Sequence, residues 1–131
     1  MTAASRALTR LAIWPDLAEG RPSCGTGRAL RSGGVEIAHF HSDRSVDLHL
    51  TAKAIRRFEK DLRHSSAIRL LPGSPWVTVH LECETDIDLL MTLVSAALQA
   101  HQRHPVADDA PLPVCNDQRE AALARDGVGG V

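Results

Sequence analysis

A chain of 131 residues with 15 basic and 16 acidic side chains and 44% hydrophobic residues is sized for one domain with a real core. Its net charge of -1 supplies no general field for nucleic acid or anionic membranes, and two Phe, two Trp and no Tyr leave no aromatic platform for stacking bases. Cys24, Cys83 and Cys115 are an odd set without C-x-x-C spacing, so neither a disulfide framework nor a zinc ribbon is implied, and reduced thiols of a cytoplasmic protein are expected.

Apolar positions Ala7, Leu8, Leu11 and Ala12 repeat at helical spacing over residues 3–13, and Pro15 ends that segment. A connection rich in Gly, Pro and Ser follows, in which Ser23-Cys24-Gly25-Thr26-Gly27-Arg28 matches no phosphate-loop pattern and reads as a structural turn. Residues 28–31 read as a strand turned by Gly33-Gly34 into the next one. Thr51 is a helix N-cap, with Ile55, Phe58 and Leu62 on one face and Lys53, Arg56, Arg57, Glu59 and Lys60 on the other. Residues 67–71 and 76–82 form a hairpin around Pro72-Gly73-Ser74-Pro75, and a mostly apolar helix starts at Thr85 and runs to about His101.

Apolar residues 89–98 are broken by Thr92 and Ser95 and are too few to cross a bilayer, and the N-terminus lacks a leader pattern. His64, His101 and His104 read as residues of helix ends. Residues 1–104 are the expected domain, and 105–131 a mostly disordered tail with one weak helical turn near residues 120–124. The fold class is α+β, in the order α-β-β-β-α-β-β-α, with about five antiparallel strands and helices on one face.

Chemistry concentrates in residues 36–50, where Ala38, Phe40, Val46, Leu48 and Leu50 form one core-facing set and His39, His41, Asp47 and His49 fall between them. A loop of Asp43, Arg44 and Ser45 would set His39 opposite His49 and His41 opposite Asp47, with Asp43 or Arg44 accepting strain where a glycine is usual. Trp76, Thr78, His80 and Glu82 share the non-core phase of the last strand and extend this surface.

Three imidazoles and a carboxylate suit a divalent metal, with His39, His41 and His49 as the candidate ligands. They also suit proton transfer, in which His41 or His49 is the base and Asp47 orients it. The plain alternative is a solvated polar sheet face. Cys24 is the thiol most exposed by its position, but nothing in the sequence marks it as activated.

The runs Cys24-Gly-Thr-Gly-Arg28, residues 36–50 and residues 68–77 together resemble the luciferase-domain family, over about residues 8–101. The likeness is to its small bacterial members, and more distantly to the fungal bioluminescence luciferase, not to the flavin-dependent bacterial luciferase. The fungal correspondence rests on His39 or His41, Asp43 or Asp47, and His49. The family implies oxygenation of a small molecule without a required flavin or metal, so a monooxygenase-like oxidoreductase is one expectation. Trp76, His80 and Arg28 are then candidate ligand-binding residues around His39, His41, Asp47 and His49. A small molecule is the expected partner, with no nucleic acid and no membrane. The alternative is a non-catalytic domain that binds a protein partner or itself through the exposed sheet.

Overall fold

A computed structural model describes residues 2–103 and 114–129, with side chains described up to residue 124. The order is α1 (Ala3–Ala12), β1 (Ala18–Gly20), β2 (Arg28–Ser32), β3 (Val35–Phe40), β4 (Ser45–His49), α2 (Ala52–His64), β5 (Ile68–Leu70), β6 (Trp76–His80), α3 (Glu84–Arg103) and α4 (Asn116–Gly129). All strand pairs are antiparallel, in one sheet ordered β1-β2-β3-β4-β6-β5. The α+β expectation stands; the sixth strand is the short β1, whose three exposed residues carry no alternation to announce it.

Local chemistry explains the elements on the apolar face. Thr2 and Thr51 cap α1 and α2 by accepting hydrogen bonds from Ser5 N at 3.0 Å and Ala54 N at 3.2 Å. Thr85, the expected helix start, lies inside α3; the Asp86 carboxylate reaches back to accept from the N–H groups of Glu82 and Cys83. Ala7, Leu8 and Leu11 of α1 and Ile87, Leu90, Val94 and Leu98 of α3 form buried stripes. They pack with Ala38, Phe40, Val46, Leu48, Val77 and Val79 of the sheet in one core. Each fully buried large aliphatic side chain there contributes about 1.5–3 kcal/mol.

The β3–β4 hairpin keeps the expected faces but not the expected register. The partners are Ala38↔Leu48 and His39↔Asp47, two residues away from the pairing of His39 with His49 and of His41 with Asp47. A slip of two preserves which side chains share a face. The turn chemistry selects it: Ser42 Oγ accepts from Arg44 N and Ser45 N, each at 3.2 Å, so the reversal is built on Ser42, Asp43 and Arg44. Neither Asp43 nor Arg44 takes a left-handed conformation; among the described residues Thr51, at φ 85°, is the one non-glycine with positive φ.

A bulge in β3 adds a further polar group. Arg31 pairs with Glu36 and Leu30 with Ala38, so Ile37 is the extra residue. Strict alternation would send Glu36 to the side of Ala38 and Phe40. The bulge puts Ile37 and Ala38 together in the core and returns Glu36 to the face of His39.

The C-terminal region differs from the expected tail. Asn116–Gly129 is a helix, longer than the single turn read near residues 120–124, and it lies on the sheet face opposite α1–α3. His104, residues 105–113 and residues 130–131 lie outside the described residues. Among the described residues no helix is long and apolar enough to cross a membrane.

Candidate metal centre

The polar face of the sheet is closed over. Glu36, His39, Asp47, His49 and Thr78 are all buried. Two segments lacking periodicity cover them. The first is the turn 23–27: Ser23 N–H donates to the Glu36 carboxylate at 2.6 Å, and Gly25 and Gly27 take φ of 82° and 84°. A Cβ on Gly27 would lie 2.2 Å from the Phe40 carbonyl oxygen, so only glycine lets this turn press against β3. The second begins at Cys115. Asn116 is fully buried, donates to Trp76 O and Thr78 Oγ1 at 3.1 Å each, and accepts from Ser74 Oγ at 2.5 Å. Asp117 N–H donates to Asp47 Oδ2 at 2.8 Å.

Between these covers four donor atoms converge. Cys24 Sγ lies 3.0 Å from His41 Nε2 and 3.8 Å from His39 Nδ1, and Cys115 Sγ lies 3.8 Å from His41 Nε2. One ligand atom from each of Cys24, His39, His41 and Cys115 falls within 4.8 Å of all the others. Four donors about 2.0–2.3 Å from one zinc ion in a tetrahedron stand about 3.3–3.8 Å apart, so small adjustments complete the geometry.

The outer nitrogens are held by carboxylates. His39 Nε2 is 2.9 Å from Glu36 Oε2, and His41 Nδ1 is 3.5 Å from Asp47 Oδ2. Arg31 supports Glu36 at 3.3 Å, and Thr78 Oγ1 donates to Asp47 Oδ1 at 2.7 Å. A carboxylate on the far nitrogen of each imidazole fixes the ring and leaves the near nitrogen as an electron-pair donor, as metal-ligating histidines require.

The electrostatics agree. Burial works against charge on Glu36 and Asp47, yet both carboxyls sit below the usual range: Ser23 and His39 stabilise the first, and His41, Thr78 and the Asp117 N–H the second. Burial opposes the His41 cation too, but Asp47 and the sulfurs of Cys115 and Cys24 outweigh it and push its pKa up to about 11. Burial pushes the Cys24 thiol up, while the Thr26 backbone and His41 bring it below its ordinary value. His39 is lowered by burial, against the pull of Glu36. The surroundings thus stabilise negative charge at Cys24 and positive charge at His41, and a metal ion bound in place of the His41 proton would supply that positive charge.

Of the residues singled out from sequence, His39, His41 and Asp47 meet here. His49 does not join them: its ring stacks on Trp76 at 4.8 Å between centroids, and His101 packs against its other side at 4.5 Å. Burial and the His101 ring push His49 down to about 4. Trp76 is 1% exposed, wedged between His39 and His49, and so is a wall of the centre rather than an open ligand contact. His101 is buried and donates from Nε2 to His49 O at 2.9 Å, a tertiary role beyond that of a helix end. His80 is half-buried at the end of β6, opposite Ser45. Arg28 is exposed and ion-paired with Glu19.

Cys24, Cys115 and Glu36 are the additions. Cys24 stands 15 positions before His39 and Cys115 stands 74 after His41, so no local ligand spacing exists to be found. Glu36 needed the bulge. The glycines flanking Cys24 were the one visible signal, since they permit a tight return onto the sheet.

Two cysteines and two histidines, His39 and Cys115 buried and Cys24 and His41 half-buried, are braced by carboxylates on the antiparallel sheet of an α+β domain, and this donor set could hold a metal ion. The luciferase-domain family model matches residues 34–97, which hold both histidines and both carboxylates. Both cysteines lie outside the matched residues. No curated protein and no solved structure matches the chain.

Proposed function

We propose that this protein holds one divalent ion of the zinc class on Cys24, His39, His41 and Cys115. The observation that carries the reading is the orientation of the two imidazoles. Each gives its outer nitrogen to a buried carboxylate and points its inner nitrogen at cysteine sulfur. Two soft thiolates and two imidazoles select zinc over magnesium or calcium. Four protein donors fill a tetrahedron, which makes the site a structural one that ties the turn 23–27, β3 and the C-terminal segment together.

The test is metal analysis of purified protein. About one zinc per chain is expected, lost in Cys24→Ser and Cys115→Ser and kept in His49→Ala. Protein that stays metal-free after zinc is supplied and excess removed would overturn the reading, as would zinc loss in His49→Ala alone.

A small-molecule, oxygenase-like role is the second reading, favoured by a cleft of about 250 Å³ beside the centre, whose lining includes Thr2, Gly27, Arg28, His41 and Ser42. In it His41 lines the cleft and Asp47 holds its ring, and the imidazole, with its pKa raised to about 11, is a proton donor rather than the base expected from sequence. Ligand binding that falls in Arg28→Ala, with zinc content unchanged, supports this role for the cleft; equal binding by both proteins counts against it.

A further inference from the structure

We propose that Cys24 and Cys115 are a redox pair: a hydroperoxide joins their ligand sulfurs in one disulfide and thereby frees the ion. The proposal rests on the metal reading for the release of zinc, while the pairing of the sulfurs stands on their placement alone.

Both Sγ atoms belong to the group of donors lying within 4.8 Å of one another. A disulfide needs about 2.05 Å, so the sulfurs close by less than about 3 Å. Neither cysteine sits on a strand. Cys24 is on a turn whose neighbours Gly25 and Gly27 already occupy left-handed backbone, and Cys115 precedes the first residue of α4. The sheet therefore need not move.

Access and chemistry assign the order of events. Cys24 is half-buried, whereas Cys115 is 1% exposed, so the peroxide meets Cys24. The Cys24 thiolate attacks one peroxide oxygen, the O–O bond breaks, and the departing oxygen leaves as water or an alcohol after taking a proton. Cys24 is then a sulfenic acid. The Cys115 thiolate attacks Cys24 Sγ, the S–O bond breaks, and hydroxide leaves as water with a second proton from solvent. Two electrons pass from the two sulfurs to one hydroperoxide. The ion is left with His39 and His41 alone, and two imidazoles hold zinc far more weakly than the complete set. The third thiol, Cys83, is engaged elsewhere, 3.6 Å from the Asp86 carboxylate at the start of α3.

The experiment uses full-length Cys83→Ser protein, which leaves only the pair. Zinc-loaded protein is treated with one equivalent of hydrogen peroxide and followed by intact mass, non-reducing peptide mapping and a chromophoric zinc chelator. Expected are the loss of two hydrogen masses, a Cys24–Cys115 link and one zinc released per link, all reversed by dithiothreitol. Cys24 converted to sulfinic acid without a link overturns the pairing, and a link with zinc retained overturns the release. Zinc-free protein treated in parallel separates the two readings. If the chain binds no zinc, the metal reading fails, while a link formed there still supports the pair and its absence removes it.

Discussion

The two faces of the sheet are both dry, but they are dry for different reasons. On one, Leu48, Val77 and Val79 meet helical stripes from α1 and α3, and burial itself is the stabilising term. On the other, Glu36, His39, Asp47, His49 and Thr78 are buried polar groups whose desolvation is offset by bonds to each other, to Ser23 N and to Asn116 and Asp117. The difference teaches that losses on the first face scale with the apolar surface removed, whereas the second depends on every partner being in place.

The largest effect expected is on the apolar side. Leu48→Ala should cost about 2–5 kcal/mol in urea unfolding, by the same amount with and without zinc. Cys115→Ser should cost stability chiefly when zinc is present. If the two variants respond alike to zinc, the division between the faces fails.

Acid should separate the faces next. His49 titrates near 4 in the fold against an ordinary 6.5, and burial lowers His101 as well. An imidazole lowered on folding binds its proton more readily in the unfolded chain. The stability from His49 is thus complete above pH 6.5 and is lost as pH falls from 6.5 toward 4, by about 3 kcal/mol. Urea midpoints measured across that range check this, and His49→Phe should flatten the profile. A wild-type profile already flat from pH 7 to 4 would contradict the burial of a neutral His49.

These expectations show why one face was legible in the sequence and the other only partly. Leu8 with Leu11, and Leu90 with Val94, announce a helix because helical spacing is local. Alternation likewise put His39, His41 and Asp47 on one side without the exact register. The Ser42 turn moved the pairing by two, which alternation cannot detect, and the Ile37 bulge recruited Glu36 from the wrong phase. Cys24 and Cys115 arrive from segments with no period at all. Their place follows from Gly27 pressing on Phe40 and from Asn116 bonding across β6, both tertiary facts.

Smaller effects sharpen the polar side. Asn116→Ala should cost about 1–3 kcal/mol by leaving Thr78 and the Trp76 carbonyl with fewer partners, and faster amide exchange over residues 114–124 should report it. Glu36→Gln should weaken zinc binding roughly tenfold to hundredfold, about 1.4–2.7 kcal/mol, in a chelator competition. Unchanged affinity would make Glu36 a packing residue rather than an orienting partner of His39.

The most direct test is zinc-edge X-ray absorption of the loaded protein, which counts the scatterers around the ion. The centre predicts two sulfurs at about 2.3 Å and two imidazole nitrogens at about 2.0–2.1 Å around the ion. A first shell of nitrogen and oxygen alone would contradict it.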